Sequence, residues 1–60
     1  MPKLLTPQEI AECLKVEEST VYEWLRSGFL VGFKIGRLWR IDAEVFTSWL
    51  TKQQEDSDKN

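Results

Sequence analysis

Apolar residues recur along this chain in three helical stripes and one alternating stretch. Ile10, Cys13 and Leu14 follow three-and-four spacing, as do Val21, Trp24 and Leu25, and then Val45, Phe46, Trp49 and Leu50. A helix turns once in about 3.6 residues, so each stripe marks one buried face. Between the second and third stripes lies RSGFLVGFKIGRLWRI, residues 26–41. There Phe33, Ile35, Trp39 and Ile41 are odd-numbered, while Lys34 and Arg40 are even. That alternation around Gly36 predicts a β-hairpin.

Local signals set the boundaries. Thr6 is placed as an N-cap, Pro7 at the first helical position and Glu9 as the far half of a capping box, with Leu5 and Ile10 as the hydrophobic staple. A helix is expected over 7–14. Lys15, Val16 and Glu17 leave room only for a turn, and a second helix is expected over 18–27, stopped by Gly28. Two helices joined by three residues are a helix-turn-helix candidate. For the hairpin, a two-residue turn would set Lys34 opposite Trp39 and mix the faces. A three-residue loop, Gly36-Arg37-Leu38, sets Lys34 opposite Arg40 and sorts one apolar face from one cationic face. This register, with strands 33–35 and 39–41, is the expected one. Asp42 then caps a third helix over 43–52. The fold class expected is mainly α with a small β-hairpin: one winged helix-turn-helix domain over 1–53, followed by a disordered acidic tail over 54–60.

Sixty residues make a single small domain, one that buries only about 60% of its unfolded surface. One cysteine and no histidine exclude a disulfide framework, and they leave no metal-ligand cluster. The core must come from apolar side chains, among them three Trp and three Phe. Each Trp falls on the apolar periodicity of its own element, which assigns it to packing rather than to base stacking. Cys13, beside Ile10 and Leu14, is expected to be a buried structural thiol. The N-terminus lacks the long apolar run of a signal peptide, and no segment approaches the roughly 20 apolar residues that span a membrane, so a soluble, cytoplasmic domain is expected.

Net charge is −2, and the tail carries all of it: Glu55, Asp56 and Asp58 stand against Lys59. Residues 24–41 contain Arg26, Lys34, Arg37 and Arg40 and no carboxylate, although the chain has only eight cations. A like-charged pair across a hairpin opposes folding by some tenths of a kcal/mol unless an anion meets it. A phosphate backbone is such an anion. With no phosphate-cradling glycine loop and no catalytic cluster, an enzyme is not expected.

Three segments, LLTPQEIAE, STVYEWLRSG and FKIGRLWRI, together resemble the small excisionase-type DNA-binding domains of bacteria and phages, relatives of the MerR-type winged helix. The resemblance covers Leu4 to about Leu50. It implies double-stranded DNA as partner, with the second helix in the major groove and the wing on the backbone or an adjacent minor groove. It also implies a role as a recombination directionality factor or small transcriptional regulator, a recombinase (integrase) partner, and head-to-tail self-association on DNA. No cofactor is implied. Residues expected at the DNA are Ser19, Thr20, Tyr22, Glu23 and Arg26 on the second helix, with Lys34, Arg37 and Arg40 on the wing. The sequence departs from the family at Glu17, which stands at the cap of the second helix where Ser is usual. It departs again at Glu18 and Glu23, where basic residues are usual. These acids leave open a reading from another class, a protein-interaction module with weak DNA binding.

Overall fold

The computed structural model describes residues 3–58. In chain order it comprises β1 (Leu4–Leu5), α1 (Pro7–Leu14), α2 (Glu18–Ser27), β2 (Phe33–Ile35), β3 (Leu38–Asp42) and α3 (Ala43–Asp58). The strands form an antiparallel sheet in the order β1-β3-β2. This is the expected winged helix-turn-helix, with one added strand. β1 pairs Leu4 with Asp42 and Leu5 with Ile41. The Ala43 N–H donates to the Lys3 carbonyl at 2.9 Å. A two-residue strand carries too little pattern to be seen in a sequence.

The helix starts follow the capping chemistry. The Thr6 N–H donates to Glu9 Oε1 at 2.9 Å, and the Glu9 N–H donates to Thr6 Oγ1 at 3.1 Å. α1 ends at Lys15, a residue in the left-handed region at φ 59°. Gly28, at φ 88°, ends α2 in the same conformation. A side chain there would meet nothing but would be strained. At the start of α3, Asp42 Oδ1 accepts from Glu44 N–H at 2.8 Å. α3 runs past the expected end near residue 52 to Asp58. The expected acidic tail over 54–60 thus overlaps the end of α3, and residues 59–60 lie outside the described residues. The segment Lys52 to Asp58 contains no Gly or Pro to stop a helix.

Ile10, Ala11, Val21, Leu25, Leu30, Ile41 and Phe46 form the core, with Leu5, Leu14, Val16 and the three tryptophans packed against it. An aromatic cluster locks α3 to the end of α2. Trp24, Phe29 and Trp49 stand 5.5–5.7 Å apart between ring centroids. Trp49 Nε1 donates to the Phe29 carbonyl at 2.9 Å. Aromatic pairs of this geometry add about 0.5–1.5 kcal/mol each beyond their burial.

Two expectations about the core are corrected. Cys13 is exposed, and Ala11 takes the inward position beside Ile10. Successive helical residues differ by about 100°, so the two stripes are equally wide, and the buried Pro7 tips the inner face toward Ala11 and away from Cys13. Val45 is also exposed, and Phe46 alone of that pair is buried.

The larger correction concerns the hairpin. It closes through a two-residue turn at Gly36-Arg37, pairing Ile35 with Leu38, Lys34 with Trp39 and Phe33 with Arg40. Gly36 lies at φ 64°, and Lys15 is the only non-glycine residue with positive φ among the described residues, so Arg37 is not. Glycine at the first central position is the signature of a type II′ turn, whose twist suits a hairpin. Phase is fixed further back, because Leu30 is buried and Gly32 points at the core. A Cβ on Gly32 would stand 2.6 Å from Leu25 Cδ2 and 3.1 Å from both Arg40 O and Ile41 Cγ1. All three residues of β2 are exposed, the expected inward pair Phe33 and Ile35 among them, and Lys34 shares the face of Trp39.

Candidate nucleic-acid interface

Helix α2 has a committed inner face and a free outer one. Val21 and Leu25 are buried and Trp24 is half-buried. About 180° from Val21 and Leu25 lie Ser19, Glu23 and Arg26, all exposed. Tyr22 and Thr20 flank this stripe on either side and are half-buried. Ser19, Glu23 and Arg26 sit one turn apart, so α2 presents a continuous polar ridge about 10 Å long. Three of the expected residues are thus brought together on its crest and two on its shoulders.

The charge on that ridge is graded. Glu17 is the N-cap of α2 and makes no side-chain capping hydrogen bond; Glu18 stands in the first turn and Arg26 in the last. This order suits the helix dipole, positive at the start and negative at the end. For an approaching phosphate it makes the start of α2 repulsive and the end attractive. A groove at the α1–α2 turn is lined by Glu12, Lys15, Glu17 and Glu18, which extends the acidic surface away from Arg26.

The wing cations do not share a face. Lys34 lies opposite Trp39, its Nζ 5.5 Å from the ring centroid, within range of a cation–π contact. Arg40 lies opposite Phe33, on the other side of the hairpin. Its Nη1 donates to the Trp39 carbonyl at 2.6 Å, and the side chain is half-buried. Arg37 stands at the turn, fully outside the paired strands and exposed. The expected cross-strand Lys34–Arg40 pair is therefore corrected: the hairpin carries one cation on each face and one at its tip.

Arg40 is also the wing cation whose charge reaches Glu9 on α1. The Glu9 carboxyl is held below its usual range, first by the hydrogen bond from the Thr6 backbone and to a lesser degree by the positive charges of Lys3 and Arg40. The sequence offered a signal for the true register that face-sorting overrode, namely Gly36 at the first position of a two-residue loop. No group of His, Cys, Asp and Glu able to hold a metal ion occurs among the described residues, and no helix there is long and apolar enough to cross a membrane.

These features have counterparts in known proteins. Residues 4–54 match the helix-turn-helix domain family. Over 49 residues the chain is 35% identical to the uncharacterized protein YvgK of Bacillus subtilis (strain 168), a match that covers 82% of this chain and 16% of that protein. The chain thus spans about a sixth of the length of that curated relative. No solved structure matches. Taken with the two packed helices, the free ridge on the second and the cationic hairpin that follows, the match from Leu4 to Gln54 is decisive: the chain belongs to the helix-turn-helix domain family, whose members bind double-stranded DNA.

Proposed function

We propose that this chain binds double-stranded DNA through the outer ridge of α2 in the major groove, as an excisionase-like architectural factor. The observation that carries the reading is the ridge itself. Ser19, Glu23 and Arg26 are exposed together on a helix whose opposite face is consumed by the core. A major groove admits one helix, and short polar side chains on its crest can reach base edges. Arg26 meets phosphate at the end of α2, while Ser19, Tyr22 and Glu23 supply limited base reading, Glu23 by accepting from a cytosine amino group. Thr20 adds a phosphate contact from the first turn.

The hairpin approaches DNA by its tip. With Lys34 and Arg40 on opposite faces, a wing laid flat would present only one of them. A wing entering edge-on sets Arg37 first and leaves Lys34 and Arg40 to the phosphates on either side. A single module of this size reads one half-site weakly, so occupancy comes from several copies on the DNA or from a protein partner such as a recombinase. A second reading with the same contacts is a small transcriptional regulator of the same fold.

The test is titration of the folded protein against a mixed duplex pool at two salt concentrations. If Arg26, Lys34, Arg37 and Arg40 each neutralise one phosphate, affinity falls roughly 150-fold between about 50 and about 200 mM salt. Arg37→Ala should reduce the logarithmic salt slope by about one. Glu18→Lys/Glu23→Lys should tighten binding to the pool. Absence of binding at low salt, by a protein with native circular dichroism, would overturn the proposal.

A further inference from the structure

The reversed phase of β2 leaves an apolar surface that DNA binding does not use. Leu30 is buried, Gly32 abuts Leu25, and Lys34 lies over Trp39, so the odd-numbered residues point outward. Val31 is 62% exposed, Phe33 43%, Ile35 55%, and Leu38, opposite Ile35 on β3, 57%. The register sets Phe33, Ile35 and Leu38 on one face, and three large apolar side chains together on a 60-residue protein exceed the scattered exposure that needs no explanation. The strip also borders an open strand edge. In the order β1-β3-β2, β2 has a neighbour on one side only among the described residues. In a two-residue hairpin the closing pair, here Ile35 and Leu38, is the hydrogen-bonded one. By alternation, the backbone N–H and C=O of Lys34 turn outward.

We infer that the free edge of β2 and its apolar outer face together bind an extended segment of another protein as an added strand. Charge identifies the kind of segment. Residues 24–41 contain four cations and no carboxylate, so the surroundings favour an acidic chain. A second copy of this protein is the wrong partner, because antiparallel self-pairing centred on Lys34 sets one Lys34 against the other. A segment with a carboxylate opposite Lys34 inverts that term. Its two flanking residues fall on the outer face beside Phe33 and Ile35 and must be apolar. The pattern is therefore apolar–acidic–apolar, read by backbone hydrogen bonds and alternate side chains. Gly32 and Gly36, on either side of Lys34, put no side chain in its way. The site is independent of the α2 ridge, and its occupant approaches the wing from the side rather than the tip.

The experiment is selection of a displayed library of random twelve-residue peptides against the full chain. Phe33→Ser/Ile35→Thr, confirmed as folded by circular dichroism, serves as the reference. The expected result is a consensus that alternates apolar residues around one Asp or Glu, at least tenfold enriched over the reference. Lys34→Glu, with the outer face intact, should switch that central position to Lys or Arg. An intensity loss confined to β2 amides in an NMR titration with the selected peptide should locate it. No enrichment over the reference would overturn the inference, as would a consensus without alternation or one unchanged by Lys34→Glu. A concentration-dependent dimer in sedimentation, abolished by Phe33→Ser/Ile35→Thr, would overturn it too, since a second copy would then cover the strip.

Discussion

Helix α2 and the hairpin β2–β3 follow one another along the chain and contribute Val21, Leu25 and Ile41 to one core, yet they obey their patterns differently. In α2 the apolar stripe and the buried stripe coincide: Val21 and Leu25 are inside, and Ser19, Glu23 and Arg26 are outside. In the hairpin the apolar residues of β2 lie outside and a lysine lies over a core-facing tryptophan. The difference is one of redundancy. A helix of ten residues fixes its rotation by several side chains at once, and shifting it by one residue exposes all of them. A three-residue strand has two faces and few votes, so a single close contact decides between them. Here that contact is Gly32 against Leu25.

The strongest way to break the comparison is to remove a core side chain from each region. Leu25→Ala and Ile41→Ala should each cost about 2–5 kcal/mol. In a domain this small either loss should leave little folded protein at room temperature, as measured by chemical denaturation monitored at the tryptophans. Equal losses are expected, because the hairpin is as firmly held at its base as the helix.

Gly32→Ala sharpens the point. Its new methyl group would meet Leu25 Cδ2 at 2.6 Å, and overpacking of this kind costs about 1–3 kcal/mol. Thermal unfolding should shift down by roughly 4–8 °C for each kcal/mol lost. The double variant Gly32→Ala/Leu25→Ala should be less damaged than the sum of the single changes, since truncating Leu25 makes the room that the methyl needs. Strict additivity would show that Gly32 does not set the phase of β2.

Smaller effects separate the two faces of the wing. Lys34→Gln removes the cation from the Trp39 ring and should cost about 0.5–1 kcal/mol in stability, together with the loss of one phosphate contact in the salt slope. The smallest effect belongs to the capping box. Glu9 has a carboxyl pKa below its ordinary value of 4.5, chiefly through the Thr6 backbone hydrogen bond. Its ionised form is therefore favoured by folding. That contribution is fully present above pH 4.5 and is lost as the pH falls through the lower native value. Glu9→Gln should flatten the acid limb of stability against pH and leave the neutral range nearly unchanged.

Much of this molecule was legible before folding. The starts of α1 and α3 and the end of α2 follow from Thr6, Pro7, Glu9, Asp42 and Gly28, which act within one turn of themselves and need no tertiary help. The exposed ridge on α2 was legible for the same reason. The hairpin was legible as an element but not in phase, because the decisive contact joins Gly32 to a residue on another element. Sorting charges onto one face gave the wrong register, since an exposed lysine can share a face with a tryptophan and lie over its ring. Cys13 was misplaced by its apolar reputation, and β1 was invisible because its pattern lies in its partner. The helical reach of α3 to Asp58 was masked by composition, although nothing breaks the helix.

The pairing of β1 with β3 has a consequence for how the chain acquires its shape. Leu5 meets Ile41, so the contact that seals the sheet joins positions 36 apart in a chain of 60. Closing a loop of that length costs about 3 kcal/mol in entropy beyond a constant, and two residue pairs cannot supply it alone. β1 therefore joins only after the helices and hairpin have already brought its partner into place. On a ribosome, β1 would emerge before its partner β3 and would wait for it unpaired. Folding would complete only when the wing is clear of the exit, with the N-terminal strand acting as the latch.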